Sequence, residues 1–253
     1  MIAGQHPLVP IAGSQDISAI HLRGVTAQYP ASSAPALSDA NLTVPVGSLV
    51  ALVGANGAGK STLLKAIVGL VPLQAGEILV HGQPFSSQRR RVAYLPQIGE
   101  LDWHFPVSLH RLVVTGRYVH LGWLRRPGRR DAEMASAALA RLGLDDLMGR
   151  QIGQLSGGQR QRALLARAMV QQADVLLLDE PFTAVDAESR SVLIEVLREL
   201  RRQEVTVLVA THDLESLSVD PTAVVHLRDG RIDGLGGPPY DADPGPVLEP
   251  WIA

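Results

Sequence analysis

The sequence predicts an α/β protein with a parallel-sheet core, an antiparallel β subdomain ahead of it and an α-helical subdomain inserted into it. Short, largely apolar runs at residues 49–53, 175–178 and 205–210 have the length and composition of strands buried on both faces, as in parallel sheets. Near the N-terminus the apolar residues alternate instead, at Ile20 and Leu22 and again at Leu42, Val44 and Val46, which is the pattern of half-exposed antiparallel strands. From residue 99 to about 154 the periodicity turns helical.

Taken in order, the strand at 49–53 precedes a helical pattern at 61–68, and residues 76–80, with Ile78 and Val80 on one face, extend the antiparallel sheet. The run at 92–95 is a further strand, stopped by Pro96. In the insert, Asp131 suits a helix cap, Met134, Ala138, Leu139 and Leu142 follow at helical spacing, and Gly143 is a stop. A helix is expected over 161–170, and another with Val192, Leu193, Val196, Leu197 and Leu200 on one face. Strands follow at 205–210 and 223–227, and Asp229-Gly230 signals the turn of a hairpin. One domain is expected over residues 17–236, with its core in 17–97 and 160–236 and the helical subdomain in 98–159. Residues 1–16 read as a loose extension, and the Gly- and Pro-rich residues 237–253 as a tail without core.

The 253-residue chain, at 27.0 kDa, suffices for one large domain or two small ones. Its net charge of -2, from 23 basic and 25 acidic residues, offers no global basic excess for nucleic acid. The absence of Cys excludes a disulfide scaffold and thiol chemistry. No apolar run approaches the roughly twenty residues that a membrane span requires, and residues 1–16 lack Lys and Arg and are broken by Pro7 and Pro10, which argues against a secretory signal. The arginine clusters Arg89-Arg90-Arg91, Arg125-Arg126 and Arg129-Arg130 read as solvated loops, with contact to anionic lipid or a membrane partner as the alternative.

Chemistry concentrates first in Gly54-Ala55-Asn56-Gly57-Ala58-Gly59-Lys60-Ser61, placed between the strand at 49–53 and the helix at 61–68. This is the context of a phosphate-binding loop: glycines turn backbone N–H groups toward a β-phosphate at the positive end of a helix dipole. Lys60 brings a mobile charge to the β- and γ-phosphates, Ser61 a hydroxyl ligand for Mg²⁺, and Thr62 reaches the α-phosphate. Lys60 and Lys65 are the only lysines in a chain otherwise dependent on arginine. Downstream, the run at 175–178 ends in Asp179 and Glu180, at the carboxyl end of a central strand where open α/β sheets bind ligands. Asp179 suits the Mg²⁺ shell, directly or through water, and Glu180 the polarisation of an attacking water. A second glycine-rich helix start, Leu155-Ser156-Gly157-Gly158-Gln159, offers an anion site that a single nucleotide bound at the first does not need.

With these residues the chain resembles the ATPase subunit of an ATP-binding cassette (ABC) transporter, a P-loop NTPase with a RecA-like core, over residues 20–235. Residues 155–159 match that family's signature, continued by Arg160-Gln161-Arg162. The resemblance implies that Ser156, Gly157, Gly158 and Gln159 touch the γ-phosphate of ATP held by the opposite subunit of a homodimer. It further implies that Tyr29 stacks on adenine, that Gln97 senses Mg²⁺ and the attacking water while facing a membrane subunit, and that His212 contacts the γ-phosphate. Asp186, in Ala184-Val185-Asp186, falls in the family's dimer-contact loop. The expected setting is the cytoplasmic face of a membrane, on integral permease subunits that work with an extracytoplasmic substrate-binding protein.

The stretch after Gln97 narrows the resemblance. Asp102-Trp103-His104-Phe105-Pro106-Val107, then Gly116-Arg117-Tyr118 and Gly122-Trp123, are similar to the manganese and zinc importer subfamily. Siderophore and haem importer ATPases, which share the Gly-Arg-Tyr element, are the nearest rival. Asp102, His104 and His110 could pass for metal ligands, but they read better as part of the surface that docks on the permease. Cassettes that act on nucleic acid usually carry a long coiled-coil insertion or two cassettes per chain, and this sequence has neither. An isolated nucleotide-binding regulator is disfavoured by the intact carboxylates and His212.

Overall fold

The computed structural model describes residues 18–121, 125–183, 185–212, 214, 217 and 219–236, so Gly122, Trp123, Ala184, the N-terminal extension and the C-terminal tail lie outside the described residues. The chain begins with an antiparallel pair, β1 (Ser18–Ala27) and β2 (Leu37–Pro45). β3 (Leu49–Val53) leads through the phosphate loop into α1 (Lys60–Ile67), and β4 (Leu73–Val80) returns to β1. A two-residue β5 (Gln83–Pro84) and a single-turn α2 (Phe85–Gln88) precede β6 (Val92–Leu95). The insert holds α3 (Leu109–Val114), α4 (Tyr118–Leu121) and α5 (Arg129–Arg141). Next come α6 (Gly157–Met169), β7 (Val175–Asp179), α7 (Ala187–Arg202), β8 (Thr206–Thr211), β9 (Ala223–Arg228) and β10 (Arg231–Gly236).

Two sheets result. One has the order β2-β1-β4-β5 and is antiparallel; the other has the order β10-β9-β3-β8-β7-β6 and is parallel except for the β9–β10 hairpin. The parallel strands are covered on both faces, which explains their unbroken apolar runs. Leu49 and Ala51 of β3, Leu176 and Leu178 of β7, and Val207 and Val209 of β8 join the core shared with the helical insert. Val50, Leu52, Val175, Leu177, Leu208 and Ala210 point the other way, into a core formed with α1 and the antiparallel sheet. Asp229 and Gly230 both adopt positive φ, 47° and 76°, as a two-residue hairpin turn matched to the strand twist requires.

Three local expectations need correction. Val46 is not part of the alternating strand: β2 ends at Pro45, and Val46 is 45% exposed. Asp131 is not the cap of α5 but its third residue; Gly128 occupies the cap, and the Asp131 carboxylate accepts its N–H at 2.9 Å and a bond from Arg117 Nε at 3.0 Å. The Gly128 amide first, and Arg117 second, hold the Asp131 carboxyl below its ordinary range. The helix expected over 161–170 starts at Gly157, because Ser156 and Gln159 cap it reciprocally. α6 is therefore continuous across the expected boundary at 159/160, and the insert joins the core within a helix.

Candidate active site

The carboxyl ends of β3, β8, β7 and β6, neighbours in the parallel sheet, gather the candidate functional residues from four segments distant in sequence. β3 delivers the phosphate loop, β6 Gln97, β7 Asp179 and Glu180, and β8 His212. A cavity of about 330 Å³ is lined by Asn56, Gly57, Gly59, Lys60, Ser61, Thr62, Gln97 and Glu180. None of residues 155–159 lines it.

Gly59 makes the loop's last bend, at φ 105°, where a Cβ would come within 2.9 Å of Ala36 O and 3.0 Å of Leu37 Cδ2. Lys60 is buried, and its Nζ donates to two carbonyls of its own loop, Gly54 O at 2.8 Å and Ala55 O at 3.1 Å. Glu180 Oε1 lies 3.9 Å from the same nitrogen. The loop thus wraps an ammonium group that lines the cavity together with Asn56, Gly57 and Gly59.

Beside it is a cluster of hard oxygen donors. Ser61 Oγ donates to Asp179 Oδ1 at 2.9 Å and accepts from Gln97 Nε2 at 3.1 Å; Gln97 Nε2 is also 3.4 Å from Asp179 Oδ1. Asp179 is fully buried, and burial raises its carboxyl pKa against the opposing effect of the Ser61 and Gln97 donors. The Ser61 hydroxyl and the Asp179 carboxylate are hard oxygen ligands of the kind that suits Mg²⁺, and Gln97 reaches both through its amide nitrogen.

Glu180 takes a left-handed backbone, φ 48°, uncommon for a residue other than glycine. Its N–H donates to Ala210 O at 3.0 Å, Thr183 Oγ1 donates to its Oε2 at 3.0 Å, and His212 Nδ1 lies 3.7 Å from that oxygen. Tyr29, 36% exposed, stands over the start of α1, its hydroxyl 3.4 Å from Thr62 Oγ1. Two contact clusters thus lie side by side, Ser61 with Gln97 and Asp179, and Lys60 with Glu180 and His212, brought together by chain adjacency at 60–61 and 179–180, with Tyr29 at the edge.

The second glycine-rich segment stands apart from this cavity. Ser156 Oγ accepts from Gln159 N at 3.3 Å, and Gln159 Oε1 accepts from Ser156 N at 3.0 Å, a capping box that orders the first turn of α6. Gly158 is buried against α7: a Cβ there would sit 2.2 Å from Asp186 Oδ2 and 2.4 Å from Ser189 Oγ. Asp186 is engaged within its own chain, where its carboxylate caps α7 by accepting from Ser189 N at 2.8 Å and Ser189 Oγ at 3.1 Å. Ser156 and Gly157 remain exposed at the helix start.

Tyr94 belongs to the site and escaped the sequence reading. Its hydroxyl donates to Asp179 Oδ2 at 3.3 Å, and burial together with that carboxylate pushes the phenol pKa upward. Its one signal was an aromatic side chain in the otherwise aliphatic run at 92–95. Asp102, His104 and His110 do not converge. His104 and Asp102 pair at the surface, whereas His110 Nε2 bonds Ala132 O at 3.1 Å. Among the described residues no cluster of three or more His, Asp or Glu side chains could hold a metal ion. Arg117 is structural, its Nη1 donating to Val170 O at 2.8 Å beyond α6 while its Nε binds Asp131 of α5.

A strand-to-helix phosphate loop facing a carboxylate strand end defines a P-loop nucleotide hydrolase. The ABC transporter family model matches residues 37–183, and the chain belongs to that family. It is 46% identical to the manganese transport system ATP-binding protein MntB of Bacillus subtilis over 83% of this chain and 84% of that one. It is 48% identical to the zinc transport system ATP-binding protein TroB of Treponema pallidum over 73% and 69%. Its fold superposes on a dimeric bacterial ABC transporter cassette with a TM-score of 0.76 at 25% identity, covering 86% of this chain and 98% of that one. An ATP-binding cassette in a post-hydrolysis state with ADP and Pi gives a TM-score of 0.75 at the same identity and coverage. The protein is an ABC ATPase, with the α/β fold of that family.

Proposed function

We propose that the chain drives import of a divalent metal ion, manganese, zinc or iron, by hydrolysing ATP between two copies of itself on a membrane permease. The carrying observation is the separation of the two phosphate-binding helix starts: the cavity at the phosphate loop includes no signature residue, so one chain offers two half-sites. A homodimer joins them. The phosphate loop of one subunit holds the nucleotide, and Ser156, Gly157, Gly158 and Gln159 of the other close on its γ-phosphate.

In this reading Lys60 exchanges its loop carbonyls for phosphate oxygens, and Thr62 and the 54–59 amides fix the triphosphate. Ser61 and Asp179 would hold Mg²⁺, with Gln97 turning its amide oxygen toward it, and the ion's charge would offset that of the phosphates. Glu180 accepts the proton of the attacking water, with Thr183 and His212 orienting its carboxylate, and His212 meets the γ-phosphate. Tyr29 receives the adenine.

Among the described residues no helix is long and apolar enough to cross a membrane, and in this reading the permease holds the chain at the membrane. A groove of about 680 Å³ beside Gln97, lined by Leu70, Phe85, Arg89, Tyr94, Leu101 and Arg167 among others, supports permease docking on that face. The names of the manganese and zinc system relatives support the cargo. Deleting the gene should abolish energised uptake of manganese, zinc or iron, restored by the wild-type chain but not by Glu180→Gln. Normal uptake of all three ions with loss of siderophore or haem uptake would move the assignment to chelate import.

A further inference from the structure

Of the two lysines, Lys60 belongs to the phosphate loop, and Lys65 has as yet no task. Lys65 Nζ lies 2.7 Å from Glu100 Oε1, with 19% and 33% of the side chains exposed. Ser61 and Lys65 are four residues apart in α1 and so share a face of the helix. They meet two residues three apart in the loop after β6: Ser61 accepts from Gln97, and Lys65 pairs with Glu100. Glu100 N donates to Gln97 O at 3.0 Å, so a single turn connects the two contacts. On its other flank the loop is held by Trp103, whose Nε1 donates to Ile98 O at 2.8 Å.

We propose that the Lys65–Glu100 ion pair is a latch that holds Gln97 against Ser61 and Asp179 in the geometry needed for hydrolysis. The proposal rests on the reading of Gln97 given above. Lys65 and Glu100 touch neither phosphate nor water in this scheme and act as positioning residues. Burial disfavours the Lys65 charge, but the bond and charge of Glu100 outweigh it and leave the Lys65 pKa raised. A rival effect is a direct field from Lys65 on Asp179, which needs no Glu100.

The full chain with Lys65→Met, Glu100→Gln and both together separates these, with Gln97→Ala as reference. Each single change should lower kcat about tenfold while KM for ATP stays within about twofold, and the double variant should be no worse than the worse single. In nucleotide-free protein, amide exchange at residues 98–101 should accelerate equally in all three. Additive losses, a loss confined to Lys65→Met, or unchanged exchange would overturn the latch. Wild-type turnover by Gln97→Ala would instead remove the role of Gln97, and with it the latch's part in hydrolysis, whatever the exchange shows.

Discussion

The guanidinium of Arg160 lies over the indole of Trp103, its central carbon 4.9 Å from the ring centroid. Trp103, 6% exposed, comes from the loop that follows Gln97, and Arg160 from the second turn of α6 just past the signature. Arg160 also donates to Gly153 O at 3.1 Å, and Trp103 to Ile98 O. One buried aromatic therefore joins the Gln97 loop to the signature helix. Trp103 thus works inside the chain rather than on a docking surface, whereas Asp102, His104, Phe105 and Pro106 around it are exposed.

Trp103→Ala should destabilise the nucleotide-free protein by about 3–5 kcal/mol, the usual cost of emptying a large aromatic site. Trp103→Phe should recover part of it. Denaturant unfolding measures both, and an unchanged midpoint for the alanine variant would show that the contact carries no stability.

Gly158→Ala should lower Tm, because the added methyl must displace either the Asp186 carboxylate or Ser189 at the start of α7. Nucleotide affinity at the phosphate loop of the same chain should hold, since Gly158 does not line that cavity. Thermal unfolding and equilibrium nucleotide binding test the two halves; an unshifted Tm contradicts the packing.

Ser156→Ala removes one half of the capping box and should cost about 1 kcal/mol of stability. It should also weaken closure of the dimer, because the first turn of α6 loses its order. Chemical denaturation gives the first quantity, and a dimerisation isotherm with a hydrolysis-deficient partner gives the second.

The raised carboxyl of Asp179 sets a pH dependence. Its folded-state pKa lies above the unfolded one, so the fold binds the proton more tightly. The ionised form then costs stability once pH has risen through the folded value, and that cost vanishes below the ordinary carboxylate range, about pH 4. Asp179→Asn should therefore raise Tm of the nucleotide-free chain near neutral pH, and the gain should shrink as pH falls toward 4. A gain independent of pH would contradict the burial argument.

Much of this was legible in the sequence because the chemistry is contiguous there. Residues 54–61 carry their glycines, lysine and serine in one run, and Asp179-Glu180 follow directly on a strand. The doubly covered strands declared themselves through unbroken apolar runs, and the hairpin through Asp229-Gly230. What stayed hidden depends on partners brought together by the fold. Tyr94 looked like one more strand residue until β7 set Asp179 beside it, and Lys65 had no visible partner until the loop returned Glu100. The start of α6 was obscured because Gly157 and Gly158 lack the apolar periodicity that reveals a helix, although Ser156 and Gln159 already spelled its cap. Asp131 was placed one role off, since an acidic residue suits both the cap and the third position of a helix.

The central claim is that ATP lies between unlike surfaces of two identical chains, and Glu180→Gln tests it most directly. Without the proposed general base the protein should still bind Mg-ATP but fail to release it, and sedimentation velocity should show a dimer that forms with ATP and disperses when nucleotide is removed. A variant that remains monomeric at saturating Mg-ATP, both alone and with its permease, would contradict the shared site.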